Sequence, residues 1–551
     1  MPGLTITNLP AREAKHGGTM ERRPLLGDEA IALGAIHAGL SGAYSYPGTP
    51  ATEIFEFVHR ETHNGPPVGE GGVHAVWSAN EKVAYEEALG MSYAGRRALV
   101  SFKHVGLNVA ADPFMNSGVS GVDGGLLVCS ADDPGMHSSQ NEQDSRIYAW
   151  FAMIPAVEPC TGQEAYEMTR EGYELSEKLR LPIMIRMVTR LAHSRSGVEL
   201  APRREPNPLR PSERPADWTL LPANARRLFA SLAEKQADML AWSESCRWNQ
   251  LKLNPKSRKL GIIAAGVAYN YVCENYGDGA EMPSILKIGA YPIPKRLVRE
   301  LIEAVDEVLV LEDGYPFIEG QIVGLLGAPK PIHGRLDGAV PRTGELNPDI
   351  VRKALGMPAV ARQSTPTVHL PARPPRLCDG CPHIDSYQIV REIMDELPET
   401  RVFGDIGCYT LGAYPPYQTI HSCIDMGASI SMAMGAAQAG MRPVLCTIGD
   451  STFIHSGMTP LIGAAQQNTP MTVFILDNST TAMTGGQDSM ADGVLANVVK
   501  GLGVDPEHVH VLQAHRKFHD QNLEIIRREV AYEGLSVIIP TRECVVTAKK
   551  K

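Results

Sequence analysis

The stretch Val444 to Gln487, VLCTIGDSTFIHSGMTPLIGAAQQNTPMTVFILDNSTTAMTGGQ, constrains the fold more than any other, because it reads as a complete strand, helix, strand unit with polar residues only at its turns. Val444 to Ile448 is a short apolar run ending on Gly449-Asp450-Ser451, and Met471 to Leu476 is a second, ending on Asp477-Asn478. Both runs suit buried parallel strands. Met458 to Gln467 carries apolar residues at helical spacing between them, so the crossover places both polar turns at the carboxyl edge of one sheet, where ligands of open α/β sheets bind. That edge offers one carboxylate (Asp450) and one amide oxygen (Asn478), hard donors that suit Mg²⁺ or Ca²⁺ better than a transition metal. A Mg²⁺ held by few protein oxygens keeps positions open for phosphate, and Gly449 lets a diphosphate approach the backbone at a helix start. A diphosphate cofactor is the expectation.

The spacing from Gly449-Asp450 to Asn478 resembles the Gly-Asp-Gly … Asn signature of thiamine diphosphate enzymes, with Ser451 standing where the second glycine usually is. The plain alternative is a βαβ unit with an Asp helix cap and an Asn turn.

At 551 residues with 43% hydrophobic and 21% charged side chains, the chain can build several ordinary globular cores. A net charge of −10 argues against a nucleic-acid partner, and no apolar run reaches membrane-spanning length. The Met-Pro-Gly-Leu start shows no basic segment followed by an apolar stretch, which reads as a cytoplasmic chain. The 10 cysteines are scattered, several inside apolar strands, as reduced buried thiols are. Cys378-Asp-Gly-Cys381 is the one C-x-x-C; it has no second pair at zinc-ribbon spacing, and the repeated cysteine run of a bacterial ferredoxin is absent. No iron-sulfur cluster is expected in this chain.

Upstream, a helical pattern from Leu26 to about Gly39 leads to a tyrosine-rich strand and the turn Pro47-Gly-Thr-Pro50, which presents Thr49 at a sheet edge. Val73 to Ser78 reads as a strand leading to Glu81 in the first turn of a helix, where a carboxylate also favours the positive helix end. Ala98 to Phe102 is a strand running into a polar turn, Lys103-His104-Val-Gly106-Leu-Asn108. With Gly125 to Ser130 and Leu181 to Met187 these alternate as a doubly wound α/β domain. Residues 201–259 shift to Pro, Arg, Trp and charge, with a helical portion around Ala223 to Leu240, and read as a linker or wrapping segment. Leu260 opens a second, smaller α/β region whose glycines do not form a dinucleotide fingerprint, and Ala328 to Pro375 is again Pro-rich.

Tyr46-Pro-Gly-Thr-Pro50, Asn80-Glu-Lys-Val83, Lys103-His-Val-Gly-Leu-Asn108, Cys378-Asp-Gly-Cys-Pro-His383, Gly404-Asp-Ile-Gly-Cys-Tyr-Thr410, Met426-Gly-Ala-Ser429, Ile448-Gly-Asp-Ser-Thr-Phe453 and Thr481-Ala-Met-Thr-Gly485 occur in order. Together they resemble the large subunit of indolepyruvate ferredoxin oxidoreductase, among the thiamine diphosphate-dependent 2-oxoacid:ferredoxin oxidoreductases, from about Leu26 to Cys544. That subunit usually ends in a ferredoxin-like domain with two four-cysteine runs, which the sequence to Lys551 does not show. The resemblance implies an α/β thiamine diphosphate-binding fold of three doubly wound domains: a pyrimidine-binding domain at 25–200, a transketolase C-terminal-like domain at 260–370 after the 201–259 linker, and a diphosphate-binding domain at 376–545.

It also implies Asp450, Asn478 and the Thr480 carbonyl on Mg²⁺, with Gly449, Ser451, Cys408, Tyr409 and Thr410 near the diphosphate. Glu81 would meet the aminopyrimidine, and the loop carrying Cys381 and His383 would lie over the cofactor. Thr49, Lys103 and His104 would bind the substrate carboxylate or protonate intermediates. The implied reaction is oxidative decarboxylation of an aryl 2-oxo acid to an acyl-CoA, with a smaller second subunit in a heterotetramer and a ferredoxin or flavin protein taking the electrons. The rivals are a non-oxidative thiamine decarboxylase or carboligase, and a non-catalytic assembly subunit, which would need none of Glu81, Asp450 and Asn478.

Overall fold

The computed structural model describes residues 21–210, 212–277, 281–360 and 375–549. The chain divides into two compact units, Met1–Thr365 and Pro366–Lys551.

The first unit is built on two sheets. The larger runs Ala290–Tyr291, Ala156–Val157, Ile183–Val188, Leu126–Asp132, Ala98–Lys103, Gly42–Ser45, His74–Trp77, parallel throughout except for its first pair. Its central strands are buried along their length and mostly apolar on both faces, as parallel strands covered by helices are, with Asp132 and Arg186 as buried charges among them. The smaller sheet runs Ile332–His333, Glu307–Leu311, Leu260–Ala265, Ser284–Ile288, Gln250–Lys252, with only the last strand antiparallel.

Three sequence expectations change here. The segment 201–259 is more than a linker: its helical portion forms as the helix Pro222–Ser245, and it supplies Gln250–Lys252 to the smaller sheet. Ala290–Tyr291, from the second α/β region, joins the edge of the first sheet. The polar turn after Phe102 is a helix, His104–Val109, because Lys103 ends its strand in an extended conformation and the chain coils at once. Of the Pro-rich stretch 328–375, residues 361–374 lie outside the described residues, and the rest holds the short helix Pro348–Ala354.

A charged network fixes the two sheets of this unit against each other. Arg146 and Arg186 are fully buried; Arg186 pairs with Asp132 at 2.7 Å and with Glu158, and Arg146 pairs with Asp144 and with Glu312 at 2.9 Å. Both guanidinium groups also donate to the Asp313 carbonyl. Buried ions of this kind add little net stability, but deleting one partner strands a charge at a cost of roughly 3–5 kcal/mol, so they specify one docking geometry.

The second unit carries one fully parallel sheet in the order Arg401–Gly404, Val444–Gly449, Met471–Leu476, Leu535–Thr541, Val509–Gln513. Both strands expected from Val444 and Met471 form, joined by the helix Met458–Gln466. A π-helical turn, Phe453–Gly457, separates that helix from the short helical segment beginning at Asp450. Such turns are rare and concentrate at functional sites. Among the described residues no helix is long and apolar enough to cross a membrane.

Candidate active site

In the second unit three neighbouring strands end in the residues singled out from sequence. Asp405 and the 408–410 turn follow Arg401–Gly404, Asp450 follows Val444–Gly449, and Asn478 follows Met471–Leu476. Asp450 is buried and one of its oxygens, Oδ2, has no hydrogen-bond partner. Burial pushes its carboxyl from an ordinary 3.8 up to about 7, with Asp477 adding to the rise and the Ser451 backbone and Ser489 hydroxyl opposing it. A buried carboxylate oxygen without a partner is a hard donor suited to a cation. Asn478 is buried, accepts from the Thr480 amide through Oδ1 at 3.3 Å, and lies 3.3 Å through Nδ2 from His383 Nε2. Burial holds His383 down at about 4, so near neutral pH it faces Asn478 as an uncharged ring.

Tyr409 packs beneath Gly449, where an added Cβ would sit 2.6 Å from the ring, so the backbone cradle at that strand end exists only with glycine. Ser451 Oγ lies 2.8 Å from Thr481 Oγ1 and 3.1 Å from Ser489 Oγ. Asp405, unassigned in the sequence reading, organises the floor: it accepts from the Gly427 amide at 3.1 Å, from Ser429 Oγ at 2.7 Å and from the Tyr409 hydroxyl. Thr410 Oγ1 donates to the Asp405 carbonyl and accepts from the Gly407 amide, fixing the 408–410 turn.

The fold also gathers cysteines that the sequence leaves scattered. Burial pushes the Cys408 thiol up to about 12, and Cys381, Cys544 and Cys378 lie close enough to add to it; Cys381 is raised to about 11, again by burial first, with Cys378 and Cys544 contributing. Cys544 comes to this edge because Leu535–Thr541 is the next strand of the sheet and the Cys544 amide donates to the Asn478 carbonyl at 3.1 Å. The expected 378–383 loop is shorter: Cys381 caps the helix Pro382–Glu396, whose first turn carries His383, and the guanidinium of Arg542 ties in the turn before it by donating to the Gly380 carbonyl at 3.0 Å.

In the first unit Thr49, Glu81 and His104 follow the three adjacent strands Gly42–Ser45, His74–Trp77 and Ala98–Lys103, and Lys103 is the last residue of the third. Glu81 is buried as the first residue of the helix Glu81–Tyr93, whose N-cap is Asn80, with Oδ1 accepting from the Val83 amide. Its carboxyl lies against Gly106, where an added Cβ would come within 2.7 Å of Oε1. Lys103 Nζ donates to the Ser138 carbonyl at 2.8 Å and to Ser138 Oγ at 3.1 Å; that hydroxyl lies 3.3 Å from the Thr49 carbonyl, and Asp133 holds the loop through the Ser138 amide and the Ser139 hydroxyl. Burial lowers the Lys103 ammonium to about 8, partly offset by Asp133. His104 is buried, with Nε2 3.3 Å from Asn141 Oδ1 and Nδ1 without a partner. The supports Asp133, Ser138 and Asn141 escaped the sequence reading, since they lie some thirty residues downstream in a segment with no helical or strand period.

Comparison with known proteins decides the family. The family model for the pyruvate flavodoxin/ferredoxin oxidoreductase thiamine diphosphate-binding domain matches residues 33–240, and that for the thiamine pyrophosphate enzyme C-terminal TPP-binding domain matches residues 405–538. Indolepyruvate oxidoreductase subunit IorA of Methanothermobacter thermautotrophicus is 37% identical over 550 residues, covering 95% of this chain and 87% of the relative. IorA of Archaeoglobus fulgidus is 37% identical over 95% of this chain and 86% of the relative, and IorA of Thermococcus kodakarensis 35% over the same shares. The chain belongs to the IorA family. It is the catalytic subunit of a thiamine diphosphate-dependent 2-oxoacid oxidoreductase. A 2-oxoglutarate:ferredoxin oxidoreductase structure from Magnetococcus marinus aligns with 59% of this chain and 64% of that one at 18% identity and a TM-score of 0.47.

Proposed function

We propose that this chain decarboxylates an aryl 2-oxo acid of the indolepyruvate or phenylpyruvate type, passing the acyl group to coenzyme A and the electrons to a ferredoxin-type acceptor with a smaller partner subunit in a heterotetramer. The curated relatives' name, indolepyruvate oxidoreductase subunit IorA, supports the substrate class and the presence of a partner. The observation that carries the cofactor assignment is the buried, unpartnered Asp450 oxygen at a strand end beside a glycine cradle.

Bound thiamine diphosphate supplies the electron sink that allows a 2-oxo acid to lose CO₂. Asp450, Asn478 and the Thr480 carbonyl would hold its Mg²⁺, and Gly449, Ser451, Cys408, Tyr409 and Thr410 would surround the diphosphate. Cys381 and the first turn of the helix Pro382–Glu396, with His383 kept neutral by burial, would lie over it. Glu81, shielded from water, would hold a proton at the aminopyrimidine ring. Lys103, near 8, can offer either charge or a proton to the substrate carboxylate, with Thr49 and His104 beside it. With partner and acceptor present, kcat/KM for indolepyruvate and phenylpyruvate is expected to exceed that for pyruvate and 2-oxoglutarate by about tenfold or more, since filling an apolar pocket is worth roughly 1–3 kcal/mol. A preference for pyruvate or 2-oxoglutarate would overturn the aryl assignment; aldehyde or acyloin in place of acyl-CoA would favour the non-oxidative rival.

A second reading of the electron route is favoured by the four converging cysteines. Iron and acid-labile sulfide analysis of the chain expressed alone separates the readings. A colourless, iron-free chain places the redox centre in the partner; stoichiometric iron and sulfide, lost in Cys544→Ser, places it here.

A further inference from the structure

Outside the proposed catalytic residues, Asp28, Glu53 and His193 form, among the described residues, a group whose ligand atoms all lie within 4.8 Å of one another. Asp28 is 0% exposed and neither of its carboxylate oxygens has a hydrogen-bond partner; one oxygen of Glu53, Oε2, is likewise buried and unpartnered. Two carboxylates have been brought together, Asp28 fully out of water and Glu53 half-buried, and among the described residues no lysine or arginine pairs with either. His193 Nε2, 3.7 Å from Glu53 Oε1, is the one cationic candidate, and it is charged only when protonated. Buried carboxylates without partners are costly, so the arrangement calls for a cation or a shared proton.

The three residues come from separate segments held rigidly. Asp28 is in the first turn of the helix Gly27–His37, Glu53 in the first turn of Thr52–Thr62, and His193 caps the short helix Thr189–Ala192. Gly27 donates to the Ser194 carbonyl at 3.1 Å and is packed so closely on residue 191 that a Cβ would sit 2.2 Å from the Leu191 oxygen. Asp28 and His193 are thus juxtaposed by backbone, and Glu53 is added by the helix that follows the Thr49 turn. Glu53 and His193 are partly exposed, which gives a cation a way in, while Asp28 forms the dry floor.

We propose that Asp28, Glu53 and His193 bind one divalent cation of the Mn²⁺ or Zn²⁺ class, which two carboxylates and an imidazole suit, and that this cation staples the start of the helix Thr52–Thr62, which follows the Thr49 turn, to the first helix and to residue 193. It is distinct from the cation expected at Asp450, which lies in the other compact unit.

The test uses Mn²⁺ alone, which avoids the thiols, on the full chain without thiamine diphosphate and in the Asp450→Ala background, followed by paramagnetic resonance and equilibrium dialysis. One Mn²⁺ per chain is expected, weakened at least tenfold by Asp28→Asn and by His193→Ala; the second variant alters a partly exposed side chain and leaves the core intact. A rise in thermal midpoint on adding Mn²⁺ is expected in the Asp450→Ala chain and absent in both site variants. No Mn²⁺ bound in the Asp450→Ala chain, or equal binding in Asp28→Asn and His193→Ala, overturns the proposal, as does an Asp28→Asn chain that gains stability while the parent shows no response to Mn²⁺, the signature of a proton shared between Asp28 and Glu53.

Discussion

Asp450→Ala is expected to abolish thiamine diphosphate binding at concentrations that saturate the unaltered chain, read by calorimetry in Mg²⁺. The change removes the carboxylate of a site whose other proposed donors are neutral oxygens, so the divalent cation and with it the diphosphate lose their anchor. Asp450→Asn keeps the shape and isolates the charge. Because burial raises the folded carboxyl from 3.8 to about 7, Asp450 contributes stability to the cofactor-free chain that is fully present below about pH 3.8 and is lost as pH rises through about 7. At about 1.4 kcal/mol per pH unit, the ionised group costs up to about 4 kcal/mol at pH 8. The cofactor-free Asn variant should therefore melt higher than the parent at pH 8 and equally at pH 4. Cation affinity of the parent should fall about tenfold per pH unit below about 7 and level off above it. Cofactor binding that survives Asp450→Ala, or a flat pH profile in the parent, would remove the central assignment.

Glu81→Gln is the second large effect. The amide preserves size and can still hydrogen-bond, but it cannot hold the proton that a carboxylate exchanges with the aminopyrimidine ring. Glu81 is only 6% exposed and pressed against Gly106, so no water replaces it easily. General acid–base assistance is typically worth about 10²–10⁴-fold. The variant should bind thiamine diphosphate within a few-fold of the parent while kcat, and deuterium exchange at the thiazolium C2, fall by about that factor. Full exchange in Glu81→Gln would point to a different carboxylate; loss of cofactor binding would recast Glu81 as structural.

How much of this was legible in the sequence depends on how local each feature is. Asp450 and Asn478 could be read because one strand, helix, strand unit of some forty residues carries both, and parallel connectivity alone puts them on one edge. Glu81 was legible for a similar reason, standing where an apolar strand gives way to a helix. The helix His104–Val109 was not, since six residues with a central glycine carry too little period to outweigh their polar, turn-like composition. Nor could the sequence show that Asp405 would hold Tyr409, Gly427 and Ser429 with one carboxylate, because those partners are fixed by how the next turn folds back.

Short stretches alone specify the α/β class, the parallel strands and the edges that bear the candidate site, since hydrophobic period and crossover handedness are local properties. Only the tertiary structure decided which distant residues share those edges. Strand order brings Cys544 beside Asn478, a loop brings Ser138 to Lys103, and the packing of Gly27 on residue 191 brings Asp28 to His193 across more than 160 residues of chain. Such meetings are set by which apolar faces bury one another, a sum over the whole core that no local pattern encodes.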